Sequence, residues 1–96
     1  MKIAKSTNEN GTTLALSGCL DTAAAPEFAA ALESVKGSGT LTIDFTGLDF
    51  IASSGLRALV SAKKKSEGHD IVITGMNEVV KDVFEMTGLL TVFTVK

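Results

Sequence analysis

A chain of 96 residues, 45% hydrophobic and 21% charged, suits one domain over residues 1–96 and is too short for a large enzyme with a deep pocket. Lys and Arg number 9 against 11 Asp and Glu, so the net charge is -2 and a nucleic-acid binder, with its usual basic excess, is not expected. With 1 Cys (Cys19) and 1 His (His69), an intrachain disulfide and a thiolate zinc site are excluded, and a metal site or a Ser-His-Asp triad is poorly supported.

The opening MKIAKSTNEN lacks the apolar core of a signal peptide, and no apolar run approaches the roughly 20 residues of a membrane helix. A cytoplasmic location without membrane insertion is the expectation.

Ile3 to Ser6 is a strand candidate, and Asn10-Gly11 is a strong turn dipeptide. Thr12 to Ser17 alternates, with Leu14 and Leu16 on one face. These two segments predict an antiparallel hairpin. Gly18 to Asp21 reads as a loop, and Asp21 or Thr22 as the cap of the next helix. Pro26 sits near its first turn, where a missing N–H costs least. Phe28, Leu32 and Val35 mark its apolar face, and Gly37-Ser38-Gly39 its end.

Thr40 to Phe45 alternates again, with Leu41, Ile43 and Phe45 sharing a face. Thr46 to Ala52 reads as a turn. Ser53 or Ser54 is the expected cap of a second helix, with Leu56, Leu59 and Val60 on one side and Lys63 to Lys65 near its C-terminus. Gly68 ends it. The apolar run in Asp70 to Thr74 predicts a strand buried on both faces. Asn77 should cap a third helix with Val79, Val80, Val83 and Phe84 inward, and Gly88 should close it. Thr91 to Val95 is the last strand. The predicted fold class is therefore α/β: a small mixed sheet, an N-terminal hairpin followed by parallel βαβ units, packed with three helices.

The chemistry-bearing stretch is Asp44 to Arg57: a strand, a turn, then a helix opening on two hydroxyls and a glycine. In open α/β sheets, sites lie at the C-terminal strand ends, and helix N-termini accept phosphate well. A serine there is a cap and also a plausible phosphorylation site. Ala52-Ser53-Ser54-Gly55 is not a G-x-S-x-G hydrolase elbow, and no G-x-x-x-x-G-K-[ST] phosphate loop occurs. Asp21, Asp44 and Asp49 read as a cap and two solvated turn residues rather than a carboxylate cluster. Cys19 is a candidate phosphocarrier nucleophile, although a small buried thiol is the commoner reading, and His69 reads as an exposed turn residue. No catalytic residue, metal or cofactor is assigned.

Three blocks resemble the STAS domain family, specifically its stand-alone bacterial anti-sigma factor antagonists. They are Ser17-Gly18-Cys19-Leu20-Asp21-Thr22 through Pro26, Asp44 through Leu59, and Val83 through Leu89. Their order and spacing cover nearly the whole chain. The resemblance implies a binding switch and no enzymatic activity. In such proteins the hydroxyl two residues before the motif glycine, here Ser53, is phosphorylated by an anti-sigma factor that is itself a serine kinase and supplies the ATP. The unphosphorylated form binds that kinase and frees the sigma factor, and a PPM-type phosphatase resets the switch. The implied docking surface is Asp21, Thr22, Asp49, Phe50, Ser53, Ser54, Gly55 and Arg57, on a protein monomeric when free. Ala52 stands where the family often has an acid. That departure keeps a second expectation open: a STAS subunit of a transport assembly, of the phospholipid ABC type, binding its ATPase constitutively.

Overall fold

The computed structural model describes residues 1–9, 11–35, 39–65 and 70–96. The strands are β1 (Lys2–Asn8), β2 (Gly11–Leu20), β3 (Thr40–Ile51), β4 (Ile71–Thr74) and β5 (Thr94–Val95). The helices are α1 (Ala25–Glu33), α2 (Ser53–Lys65) and α3 (Glu78–Met86), with a single 3-10 turn at Leu89–Thr91. All five strands form one sheet in the order β1-β2-β3-β4-β5. The β1–β2 pair is antiparallel and the other three pairs are parallel. This is the mixed sheet with three helices that the alternation and punctuation predict.

One face of the sheet carries the core. Leu14, Ile43 and Ile73 lie in register across three strands, and all three are fully buried. Phe28 and Leu32 of α1, Leu56 and Leu59 of α2, and Val80 and Phe84 of α3 join them in one cluster. Each fully buried aliphatic or aromatic side chain contributes about 1.5–3 kcal/mol of transfer free energy. The Phe84 ring meets Phe45 and Phe93 edge-on, at centroid distances of 6.1 and 6.3 Å. Aromatic quadrupoles favour that geometry. The alternate residues Thr13, Thr42 and Val72 form a cross-strand row on the other face and are half-buried.

Several expectations are corrected. Gly18 to Leu20 is not a loop, and Thr46 to Ile51 is not a turn: both continue their strands, pairing Gly18 with Leu48, Cys19 with Phe50 and Leu20 with Ile51. The register shifts between Ala15 and Ser17 and again between Gly18 and Cys19. Each shift inserts an extra residue into β3, a bulge, so Leu48 and Ile51 both point inward although three residues apart. Gly47 permits the first bulge, because a Cβ there would lie 2.9 Å from the Ser17 Cβ.

Helix α1 stops at Glu33, short of Val35, where the Ser34 hydroxyl donates to the Ala31 carbonyl (2.7 Å). Such local bonds compete with helix propagation. Strand β4 is fully buried only at Ile71 and Ile73; Val72 and Thr74 are half-buried. Val79 is exposed, not inward. The last strand shrinks to Thr94–Val95, because Gly88 turns left-handed (φ 74°) after α3 and the 3-10 turn follows. Cys19 is an exposed free thiol in β2, not a buried one in a loop. Asn10, Gly37, Ser38, Gly68 and His69 lie outside the described residues.

Candidate functional site

The site forms where β2 and β3 end side by side. The Ala52 N–H donates to the Leu20 carbonyl (2.8 Å), joining the two chain exits. Asp21 and Thr22 follow Leu20, and Ser53 follows Ala52. Helix α2 begins at Ser53 itself, and the Gly55 and Leu56 N–H groups donate to the Ala52 carbonyl (3.0 and 3.1 Å). Ser53 is therefore the first helical residue rather than the flanking cap, and so is not the expected N-cap; nor is Ser54. The Ser53 side chain is exposed, whereas Ser54 is half-buried and donates to the Thr22 Oγ1 (3.4 Å).

Asp21 is also repositioned. Its Oδ1 accepts from the Ala24 N–H (2.9 Å) and its carbonyl from the Ala24 and Ala25 N–H groups (3.1 and 3.0 Å). It closes the turn before α1, which starts at Ala25 without a side-chain cap.

The bulged end of β3 brings up the other site residues. Asp49 is exposed, and Phe50 is 43% exposed opposite the exposed Cys19. An exposed phenylalanine beside a strand end suits an interface anchor. Gly55 is buried against Leu20 and Ile51, and Arg57 is exposed about one turn into α2. The first turn of α2 carries no acid, so its partial positive charge is not offset there.

Asn77 is a site-supporting residue that sequence reading finds only as a cap. Its Oδ1 accepts from the Val80 N–H (2.8 Å), as a cap should. Its Nδ2 also donates to the carbonyls of Leu48 (3.0 Å) and Asp49 (3.4 Å). It thereby clamps the bulged strand to α3.

Asp44 does not join Asp21 and Asp49. It sits within β3, and its Oδ1 accepts from the Thr46 N–H (2.9 Å) and Oγ1 (2.6 Å). Those bonds, with a smaller contribution from Thr74, hold its carboxyl below the ordinary carboxylate range. A depressed folded-state pKa adds stability present above the unfolded value, about 3.9, and lost as pH falls through the folded value. The Asp44→Asn variant should therefore lose less stability than wild type between pH 5 and pH 2, as urea midpoints at the two pH values would show. Equal pH slopes would contradict this role. Among the described residues, no group of three His, Cys, Asp or Glu is placed to hold a metal. No described helix is long and apolar enough to cross a membrane.

The family profile described as "Mlab, STAS domain" matches residues 3–94. The chain is 32% identical over 84 residues to "Putative anti-sigma factor antagonist BtrV" of Bordetella bronchiseptica, covering 83% of this chain and 72% of that protein. The unphosphorylated anti-sigma factor antagonist SpoIIAA of Bacillus superposes with a TM-score of 0.80 at 19% identity, covering 99% of this chain and 88% of that one. A sulfate transporter family protein from Wolinella succinogenes superposes at 0.78 and 12% identity, covering 95% of this chain and 80% of that one. The chain belongs to the STAS domain family.

Proposed function

We propose that this protein is an anti-sigma factor antagonist whose unphosphorylated form binds an anti-sigma factor serine kinase, and that phosphorylation of Ser53 releases it. The observation that carries this reading is the exposed Ser53 at the start of α2, where the Ala52–Leu20 and Ser54–Thr22 bonds hold it near the chain segment of Asp21 and Thr22. The relative named for that activity and the likeness to SpoIIAA, known in unphosphorylated and phosphorylated forms, support it.

A phosphate adds about -1.5 to -2 charges at neutral pH. The N-terminus of α2 favours such a charge, so the fold tolerates it. A docked partner facing it meets desolvation and repulsion from any acid of its own. The switch then works by blocking a surface, without refolding. The kinase supplies ATP, a PPM-type phosphatase resets Ser53, and the chain itself catalyses nothing. It acts as a cytoplasmic monomer when free.

The test is capture from native lysate on wild type beside Ser53→Glu, with phosphosite mapping of the bound chain. Wild type should retain an ATP-binding kinase, Ser53→Glu should hold it severalfold or more weakly, and the phosphate should map to Ser53. Unchanged retention, or phosphate on Ser54, would sink this reading. Retention of a transporter ATPase by both forms would establish the second reading, a constitutive transport subunit. Ala52, which lacks the acid common before the modified residue, is the feature that favours that second reading.

A further inference from the structure

A groove of about 810 Å³ runs between α1 and α2 above the sheet. Its size falls within the range of about 300–1,000 Å³ typical of small-molecule pockets. It exists because both helices face it with small side chains: Ala25 and Ala29 from α1, Ala58 and Ala62 from α2. Leucines at such positions would interdigitate and fill the space to the density usual in protein interiors. The core beneath is correspondingly less well covered. Leu32 and Leu41, which line the groove, each keep 8% exposure, whereas Leu14, Ile43 and Ile73 keep none.

The groove has a polar end and a long apolar course. Thr22, Ser54 and Arg57 line the end nearest Ser53. Arg57 is the sole cation among its described lining residues, and it forms no ion pair with a described residue. The acid of the lining, Glu33, lies at the far end of α1 and has its own interaction. From Ser54 to Ala62, α2 advances about 12 Å at 1.5 Å per residue. A guanidinium without an ion pair among the described residues, at one end of an alanine-walled slot, complements a molecule with an anionic head and an extended hydrocarbon tail.

We infer that this groove binds a single-chain anionic amphiphile, its alkyl chain along the Ala29–Ala58 seam and its head on Arg57 with the hydroxyls of Thr22 and Ser54. The inference does not depend on the partner switch, although the head shares three residues with the proposed docking surface.

The test titrates dodecanoate, below its micelle concentration, into the isotope-labelled full chain and follows amide shifts by NMR. Saturable one-to-one shifts should centre on Ala29, Leu41, Ala58 and Ala62. Arg57→Gln, an exposed position whose change leaves the core intact, should weaken dodecanoate about tenfold while leaving dodecanol binding unchanged. Ala58→Leu should abolish both by filling the slot, with its melting curve confirming the fold. Three outcomes would overturn the assignment: no saturable binding, shifts centred on the exposed Val79 and Met86 of α3, or equal affinity for dodecyltrimethylammonium. Since the assay contains no kinase, its failure leaves the Ser53 proposal intact.

Discussion

Gly55→Val should lower both stability and partner binding. A Cβ at Gly55 would sit 2.7 Å from the Leu20 Cγ, 2.9 Å from its Cδ2 and 3.1 Å from the Ile51 Cγ1. Leu20 and Ile51 are fully buried, so neither has room to retreat. Overpacking of this kind costs about 1–3 kcal/mol, and valine's two γ-methyls place the effect at the upper end. In a domain of this size, about 3 kcal/mol lowers Tm by roughly 12–24 °C. The same two residues end β2 and β3; of the proposed docking residues, Asp21 and Thr22 follow the first, while Asp49 and Phe50 precede and Ser53 closely follows the second. Displacing them moves Asp21 and Thr22 relative to Ser53. Gly55→Ala brings the same Cβ against Leu20 and Ile51 but no γ-methyls, and with a helix-propensity gain of up to about 1 kcal/mol it should lose less than Gly55→Val while remaining below wild type. Circular dichroism melts and a binding titration on all three proteins check this. Wild-type Tm and affinity in the Gly55→Val variant would contradict the packing argument.

Phe84→Ala should cause the larger loss of stability, about 3–5 kcal/mol. Phe84 is fully buried, and its ring bridges Phe45 on β3 to Phe93 beside β5. Removing it opens a cavity at the junction of α3, the sheet and the C-terminal segment. Against a typical total of about 5–15 kcal/mol, that leaves the chain marginal. Phe84→Leu, which keeps most of the volume, should lose less than half as much. Urea unfolding monitored at 222 nm gives the comparison. Because Phe84 lies away from Ser53, the fraction still folded at low temperature should bind its partner with unchanged affinity. A fall in that affinity would mean that α3 transmits to the site through the Asn77 clamp.

The sequence exposes the parts of this fold that obey simple periods. Leu14/Leu16, Leu41/Ile43/Phe45 and Val80/Phe84 recur at strand or helix spacing, and all are buried. It hides the parts where the period breaks. Thr46-Gly47-Leu48-Asp49 looks like a turn because it is polar, short and contains glycine. The bulges in β3 nevertheless keep it in the sheet, and bulge placement depends on pairing with β2, which no local pattern encodes. Ser34 ends α1 through a bond to its own helix, a choice a propensity scale does not resolve. The candidate site is similarly split. The position of Ser53 at a strand-to-helix junction is legible from local residues. Its proximity to Thr22, through the Ser54 hydroxyl and the Leu20–Ala52 bond, is a tertiary fact. The second role of Asn77, reaching 29 residues back to Leu48, is legible only in three dimensions.

The strand order of the sheet matches the order of synthesis. Each strand lies beside the one made just before it, so no slot must be held open for a later arrival. Sheets of this kind can grow at one edge, but each parallel pairing, such as Leu14 with Ile43 and Ile43 with Ile73, must first close a loop through a helix, which slows folding. All eight proposed docking positions fall between Asp21 and Arg57, and α2 ends at Lys65. A nascent chain leaving the ribosome thus carries every residue of the proposed switch before β4 has emerged. The last third then adds the Asn77 clamp on Leu48 and Asp49, which fixes the bulged strand in its final shape.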